Sequence, residues 1–216
     1  MKNGLREKLR MSYNAKRGII RARLEEFREV YRQGDDGRIF EELAFCICTA
    51  GASARMGLRS VEALKDILLE GSLRKFRRRL KGIHRFPNYR PAYIIHTREY
   101  LRREYGLRLR DLIESFPDPH EKRDFFAKNR DIKGIGYKES SHFLRNIGYQ
   151  GYAILDKHIL NTLYELGVIE SPKPPGTRDR YIAVENSLRQ FADDIGIPMD
   201  ELDLLLWSEK TGEILK

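Results

Sequence analysis

Apolar positions recur at helical spacing along almost the whole chain, and nowhere in sustained alternation. Within the first 33 residues, Ile19, Ile20, Leu24, Phe27, Val30 and Tyr31 follow that spacing in an otherwise polar, basic stretch. Gly34, Asp35, Asp36 and Gly37 are expected to break it. Ile39 to Ala50 is nearly all apolar and predicts a buried central helix. Ser53 suits the cap of the next helix, with Met56, Leu58, Val61, Leu64, Ile67 and Leu68 facing inward. Helices are expected over 91–103 and 107–116. Pro117-Asp118-Pro119 then stops one helix and starts another that ends at Asn129. Beyond residue 150 the pattern predicts helices over 156–166, 177–195 and 199–208, with Ser171 to Gly176 as a loop. The chain therefore reads as all-α, with roughly ten helices.

Composition narrows the class. The 216 residues hold 41 Lys and Arg against 32 Asp and Glu, a net charge of +9. A compact basic protein attracts polyanions, and nucleic acid is the commonest. A charge-rich surface of the thermophilic kind is the other reading. The two cysteines, Cys46 and Cys48, lie in one apolar run. They are too few for a zinc site or a four-cysteine iron–sulfur cluster, and read as buried reduced thiols of a cytosolic protein. The charged N-terminal stretch does not read as a secretory signal. No apolar run approaches the ~20 residues of a membrane-spanning helix.

Charge is concentrated in Ser72 to Arg90, which has eight Lys or Arg, no acid, and Phe76, Phe86 and Tyr89 interleaved. A solvated surface helix with a turn at Phe86-Pro87-Asn88 accounts for this. So does a helix that contacts DNA backbone, followed by a loop that enters the duplex. Arg85, Phe86 and Asn88 are side chains suited to the gap left by an extruded base.

The chemistry centres on residues 132–156. Gly134-Ile135-Gly136 lies between two helical patterns. Paired glycines permit positive φ and close backbone approach, and the amides of such a turn at a helix start bind phosphate. A turn with no ligand is the plainer reading. Ile132 and Ile135 as anchors, with Phe143, Leu144 and Ile147 packing the second arm, favour a helix–hairpin–helix that grips DNA without reading sequence. Lys138 falls in the first turn of the second helix, where a cation is unfavourably placed. A surface lysine and a nucleophilic amine are both open at this point. Asp156 is expected to cap the next helix, which keeps its carboxylate fixed in direction. His142 and His158 read as structural.

Residues 132–156 resemble the superfamily of DNA glycosylases built on a helix–hairpin–helix, a Gly/Pro-rich loop and an aspartate. GIGYKESSHFLRNIG, then LDKHIL, then the ending LDLLLWSEKTGEILK are similar to the archaeal-type second family of 8-oxoguanine DNA glycosylase/AP lyases. The resemblance implies a bifunctional enzyme of base excision repair. It implies two helical lobes, residues 36–150 and residues 1–35 with 151–216, with the active site in the cleft between them. Lys138 matches the family's catalytic lysine, which attacks the sugar and forms a Schiff base before β-elimination. Asp156 matches the catalytic aspartate. Trp207 would stack on the damaged base, and Lys216 would complete the base pocket. Gly134, Ile135 and Gly136 would hold DNA backbone. Relatives tend to carry Gln or Asn near position 51, where this chain has Gly51, so filling the duplex falls to Arg85, Phe86 or Asn88. The implied partner is double-stranded DNA containing oxidised guanine, met by a cytoplasmic, nucleoid-associated monomer that contacts no membrane. No cofactor or metal is required, and the hairpin is a candidate place for a monovalent cation. A cluster-free glycosylase for another damaged base and a non-catalytic helix–hairpin–helix module are the alternatives.

Overall fold

The computed structural model describes residues 2–215. Among them are eleven α-helices and one turn of 3-10 helix, and no strand. In chain order they are α1 (Lys2–Gln33), α2 (Asp36–Thr49), α3 (Ala54–Leu64), α4 (Leu73–Leu80), α5 (Tyr89–Tyr105) and α6 (Leu109–Glu114). There follow α7 (Pro119–Lys128), α8 (Tyr137–Asn146), α9 (Lys157–Glu165), α10 (Arg178–Ile195) and α11 (Met199–Thr211). None of the described helices is long and apolar enough to cross a membrane.

Two differences from the sequence reading have local causes. The first helix covers the polar N-terminal stretch as well as its amphipathic second half. Leu9 and Tyr13, four residues apart and both buried, give that polar stretch an apolar side of its own. The expected four-residue break shrinks to Gly34-Asp35, because Asp35 accepts the Arg38 N–H at 2.8 Å and caps α2. Asp36 and Gly37 are therefore helical.

The chain packs as two compact units, Glu29–Ile147 and Met1–Arg28 with Gly148–Lys216. These packing boundaries fall at 28/29, inside α1, and at 147/148, where the sequence reading divides the chain at 35/36 and 150/151.

In the Glu29–Ile147 unit, α2 is the central helix. Ile39, Phe40, Leu43, Ala44 and Ile47 are fully buried. Gly57 brings α3 close, since a Cβ there would lie 2.5 Å from Thr49 Cγ2. Phe126 and Phe143 join α7 to α8 with ring centroids 4.9 Å apart. Glu42, buried on α2, accepts from Arg38 at 2.6 Å and from Asn146 at 3.1 Å. That carboxylate ties the C-terminus of α8 to the core. Cys46 and Cys48 are buried free thiols. Burial pushes both thiols up, Cys48 to about 12.

In the other unit, Tyr13 and Arg21 of α1 meet Glu201 of α11, at 2.7 Å and 3.1 Å. Gly148, at φ +94°, lies so close to α1 that a Cβ would stand 2.7 Å from Arg28 Cα.

Candidate functional site

The hairpin joins α7 to α8. Asp118 caps α7 through the Glu121 N–H, with Pro119 in its first turn. Ile132 is buried beneath the turn, and Lys133 N–H donates to the buried Thr97 Oγ1 at 2.9 Å. Gly134 sits at φ +80°, and a Cβ there would be 2.6 Å from Tyr93 Cδ2. Glycine is required on both counts. Gly136 differs: its φ is −130°, and the nearest atom to an added Cβ is 3.9 Å away. Its amide nitrogen is the working part. Gly136 N–H donates to Glu139 Oε2 at 3.2 Å.

The turn was expected to offer its amides to a phosphate. Among the described residues no acceptor meets the Gly134 or Ile135 N–H at hydrogen-bonding geometry, while Gly136 N–H is already engaged by Glu139. The sequence did carry that signal, an acid three residues after a helix cap.

Lys138 lies in the first turn of α8, half-buried, with Nζ 2.9 Å from Glu139 Oε1. One carboxylate therefore holds a hairpin amide with one oxygen and the lysine with the other. Phe143, Leu144 and Ile147 are fully buried and fix the helix behind it. Tyr137 OH donates to Asp124 at 2.9 Å, tying the start of α8 to α7. His142 is buried edge-on to Phe45, with centroids 5.5 Å apart, in a packing position.

The basic run divides. Phe76 and Leu80 of α4 are fully buried, so Phe76 is a core residue and not part of an aromatic–basic surface. Residues 81–88 form the loop into α5, with Arg85 and Asn88 exposed and Phe86 half-buried. His84 anchors it. Its Nε2 lies 2.8 Å from the Cys48 carbonyl, and Phe86 N–H donates to its Nδ1 at 2.9 Å. Arg85 donates to Gly51 O at 3.2 Å and lies 4.6 Å from the Phe86 ring centroid. The three residues expected to enter a duplex thus share one loop, bound to the chain that follows α2.

Asp156 belongs to the other unit. It caps α9, accepting His158 N–H and Ile159 N–H at 2.8 Å each. The extended residues before it are clamped by side chains that the sequence reading passed over. Ala153 N–H donates to Glu185 at 2.9 Å and Ile154 N–H to Asp203 at 3.2 Å, both buried carboxylates. Leu155 N–H donates to Tyr181 OH, which itself donates to Ala153 O at 2.7 Å. The direction of Asp156 is thereby fixed from both sides. No single-residue signal marks Glu185 or Asp203, because their partners are backbone amides elsewhere in the chain. Trp207, on α11, is half-buried, with an exposed part that a core tryptophan would lack. Lys216 lies outside the described residues.

Comparison with known proteins is consistent along the chain. The family described as 8-oxoguanine DNA glycosylase matches residues 20–197. A protein of Korarchaeum cryptofilum named 8-oxoguanine DNA glycosylase/AP lyase is 39% identical over 209 residues, covering 96% of this chain and 95% of its own. The crystal structure of the Methanocaldococcus jannaschii 8-oxoguanine glycosylase/lyase, in complex with a 15mer DNA containing 8-oxoguanine, is 36% identical. It superimposes with a TM-score of 0.87 over 98% of this chain and 99% of that one. The Thermotoga maritima 8-oxoguanine DNA glycosylase is 32% identical, with a TM-score of 0.89 over the whole of both chains.

Proposed function

The chain belongs to the 8-oxoguanine DNA glycosylase family, and from that membership we propose that it excises 8-oxoguanine from duplex DNA and then cuts the strand at the abasic site. One observation supports a lyase above a simple grip. Lys138 opens the helix directly behind a hairpin whose Gly134 and Ile135 amides meet no acceptor at hydrogen-bonding geometry among the described residues.

In the proposed reaction, the Gly134 and Ile135 amides hold a backbone phosphate, with Gly136 shaping the turn. The damaged nucleotide leaves the stack. The Lys138 amine attacks C1′, the C1′–N9 bond breaks, and the base departs with the bonding pair and gains a proton. Opening of the sugar ring gives an imine between Lys138 and C1′. Loss of a C2′ proton then expels the 3′ phosphate, which cuts the strand on the 3′ side of the lesion. Hydrolysis of the imine frees the enzyme. Asp156, held in direction by its two amide donors, stabilises positive charge developing on the sugar or accepts the Lys138 proton. Trp207 stacks on the extruded base, and Lys216 reads it. Arg85, Phe86 and Asn88 occupy the gap in the duplex. The reaction as proposed requires no cofactor, routes no step through a hairpin cation, and is run by a monomer where the chromosome lies.

The test is cleavage of a panel of duplexes carrying 8-oxoguanine, oxidised pyrimidine, adenine opposite 8-oxoguanine, or no damage. Cutting confined to the 8-oxoguanine strand is expected. Cutting of another lesion in its place would move the chain to a different specificity, and tight binding without cutting would make it a non-catalytic module. Removal of Lys216 should slow 8-oxoguanine excision more than cleavage of a preformed abasic site; equal slowing would remove Lys216 from base recognition.

A further inference from the structure

Arg90, in the first turn of α5, has no part in the roles above, yet three loops of the Glu29–Ile147 unit meet at its guanidinium. Nη2 donates to the Ala50 carbonyl at the end of α2. Its Cζ lies 5.6 Å from the ring centroid of Phe86 and 5.6 Å from that of Tyr93. The hairpin packs on it as well, since a Cβ at Gly134 would stand 3.0 Å from Nη1. The Nε is buried without an acceptor, and no carboxylate pairs with this cation among the described residues.

A brace between loops needs no charge. A partly buried cation without a counter-ion is an expensive brace, and an aromatic or aliphatic side chain would fill the space without that penalty. The charge is explained by an anion that arrives from outside. The hairpin donors point to the same ligand: among the described residues no acceptor meets the Gly134 or Ile135 N–H at hydrogen-bonding geometry, whereas Gly136 N–H is engaged by Glu139.

We propose that Arg90 is a positioning residue that couples phosphate capture at the hairpin to entry of the Phe86 loop into the duplex. A backbone phosphate at Gly134 engages the guanidinium, which also lies 5.6 Å from the Phe86 ring centroid. Grip and insertion then occur as one event. A planar, forked cation is suited to this, because it can stack on a ring while its nitrogens bond in plane. The inference rests on the 8-oxoguanine reading and on the Phe86 loop as the inserting one.

The experiment compares wild type, Arg90→Met and Arg90→Lys under single-turnover conditions. Substrates are an 8-oxoguanine duplex with 2-aminopurine beside the lesion, an undamaged duplex, and a single strand with a preformed abasic site. For Arg90→Met, excision should slow on the order of tenfold or more, and the 2-aminopurine fluorescence rise should be largely lost. The slope of log affinity against log salt should fall by about one for the undamaged duplex. Single-strand cleavage, which shares the phosphate grip but needs no extrusion, should slow several-fold less than duplex excision. Arg90→Lys should recover the salt slope but not the fluorescence rise. Equal slowing on duplex and single strand would reduce Arg90 to a structural brace, and an unchanged fluorescence rise would overturn the coupling. If Arg90→Met fails to fold, Arg90→Lys decides by its fluorescence rise. Wild type failing to excise 8-oxoguanine would count against the functional reading, independently of Arg90.

Discussion

Lys138 Nζ lies 2.9 Å from one oxygen of Glu139, while the other oxygen of the same carboxylate takes the Gly136 N–H at 3.2 Å. The proposed nucleophile and the proposed DNA grip are thus joined through one side chain. Replacing Glu139 with Ala leaves the Gly136 amide without its acceptor and should cost about 1 kcal/mol. Glu139→Gln keeps an acceptor oxygen and should recover most of that loss. Urea denaturation of the two variants checks it; equal stability would mean that the carboxylate does not hold the turn.

Asp156 is given two roles that substitution can separate. Asp156→Ala removes the acceptor of the His158 and Ile159 amides and should destabilise by about 1–2 kcal/mol. Asp156→Asn retains the cap, so its melting temperature should stay near that of wild type. Its excision rate should nonetheless fall on the order of a hundredfold, because the charge is gone. An Asn variant with full activity would leave Asp156 a cap and nothing more.

The two hairpin glycines should behave differently. At Gly134, φ is +80° and a Cβ would meet Tyr93 at 2.6 Å, so Gly134→Ala should cost roughly 1–3 kcal/mol and weaken duplex binding. At Gly136, φ is −130° with open space beyond, so Gly136→Ala should stay within about 0.5 kcal/mol. Thermal melting and fluorescence anisotropy with labelled duplex measure both. Equal sensitivity of the two positions would contradict the geometry.

Much of this was legible beforehand, and the reason differs by feature. The helices were readable because each carries its own apolar periodicity and its caps lie within three residues; Ser53 and Asp156 accept amides as the expected caps, and Asp118 caps the helix that Pro119 was expected to start. Lys138 and Asp156 were locatable because each opens a helix. Arg90, Thr97, Glu185 and Asp203 were not. Each works on backbone 30 or more residues away, from Ala50 to Ile154, and no local spacing encodes such a contact. Phe76 was misread because its basic neighbours dominate the composition of α4, whereas the helix turns it into the core.

The loop that carries Phe86 should be sensitive to acid. Burial pushes the His84 imidazole down, against its hydrogen bond to the Cys48 carbonyl, and the Arg90 and Arg85 charges act in the same downward direction. Because Phe86 N–H donates to Nδ1, the folded ring is neutral. Protons therefore bind the unfolded chain first as the pH drops. The stabilisation is whole above the ordinary value of 6.5 and is lost as the pH falls through the lower folded value. The stability gap between wild type and His84→Asn should narrow from about pH 8 to about pH 5. A gap that is constant across this range would contradict the neutral-ring assignment.

The most direct measurement is borohydride trapping of a covalent complex with 8-oxoguanine duplex by wild type and by Lys138→Gln. Wild type should give an adduct that survives denaturing electrophoresis. The Gln variant should give none while binding the same duplex within about threefold, because an amide cannot form the imine. An adduct of undiminished yield from Lys138→Gln would contradict the account at its centre.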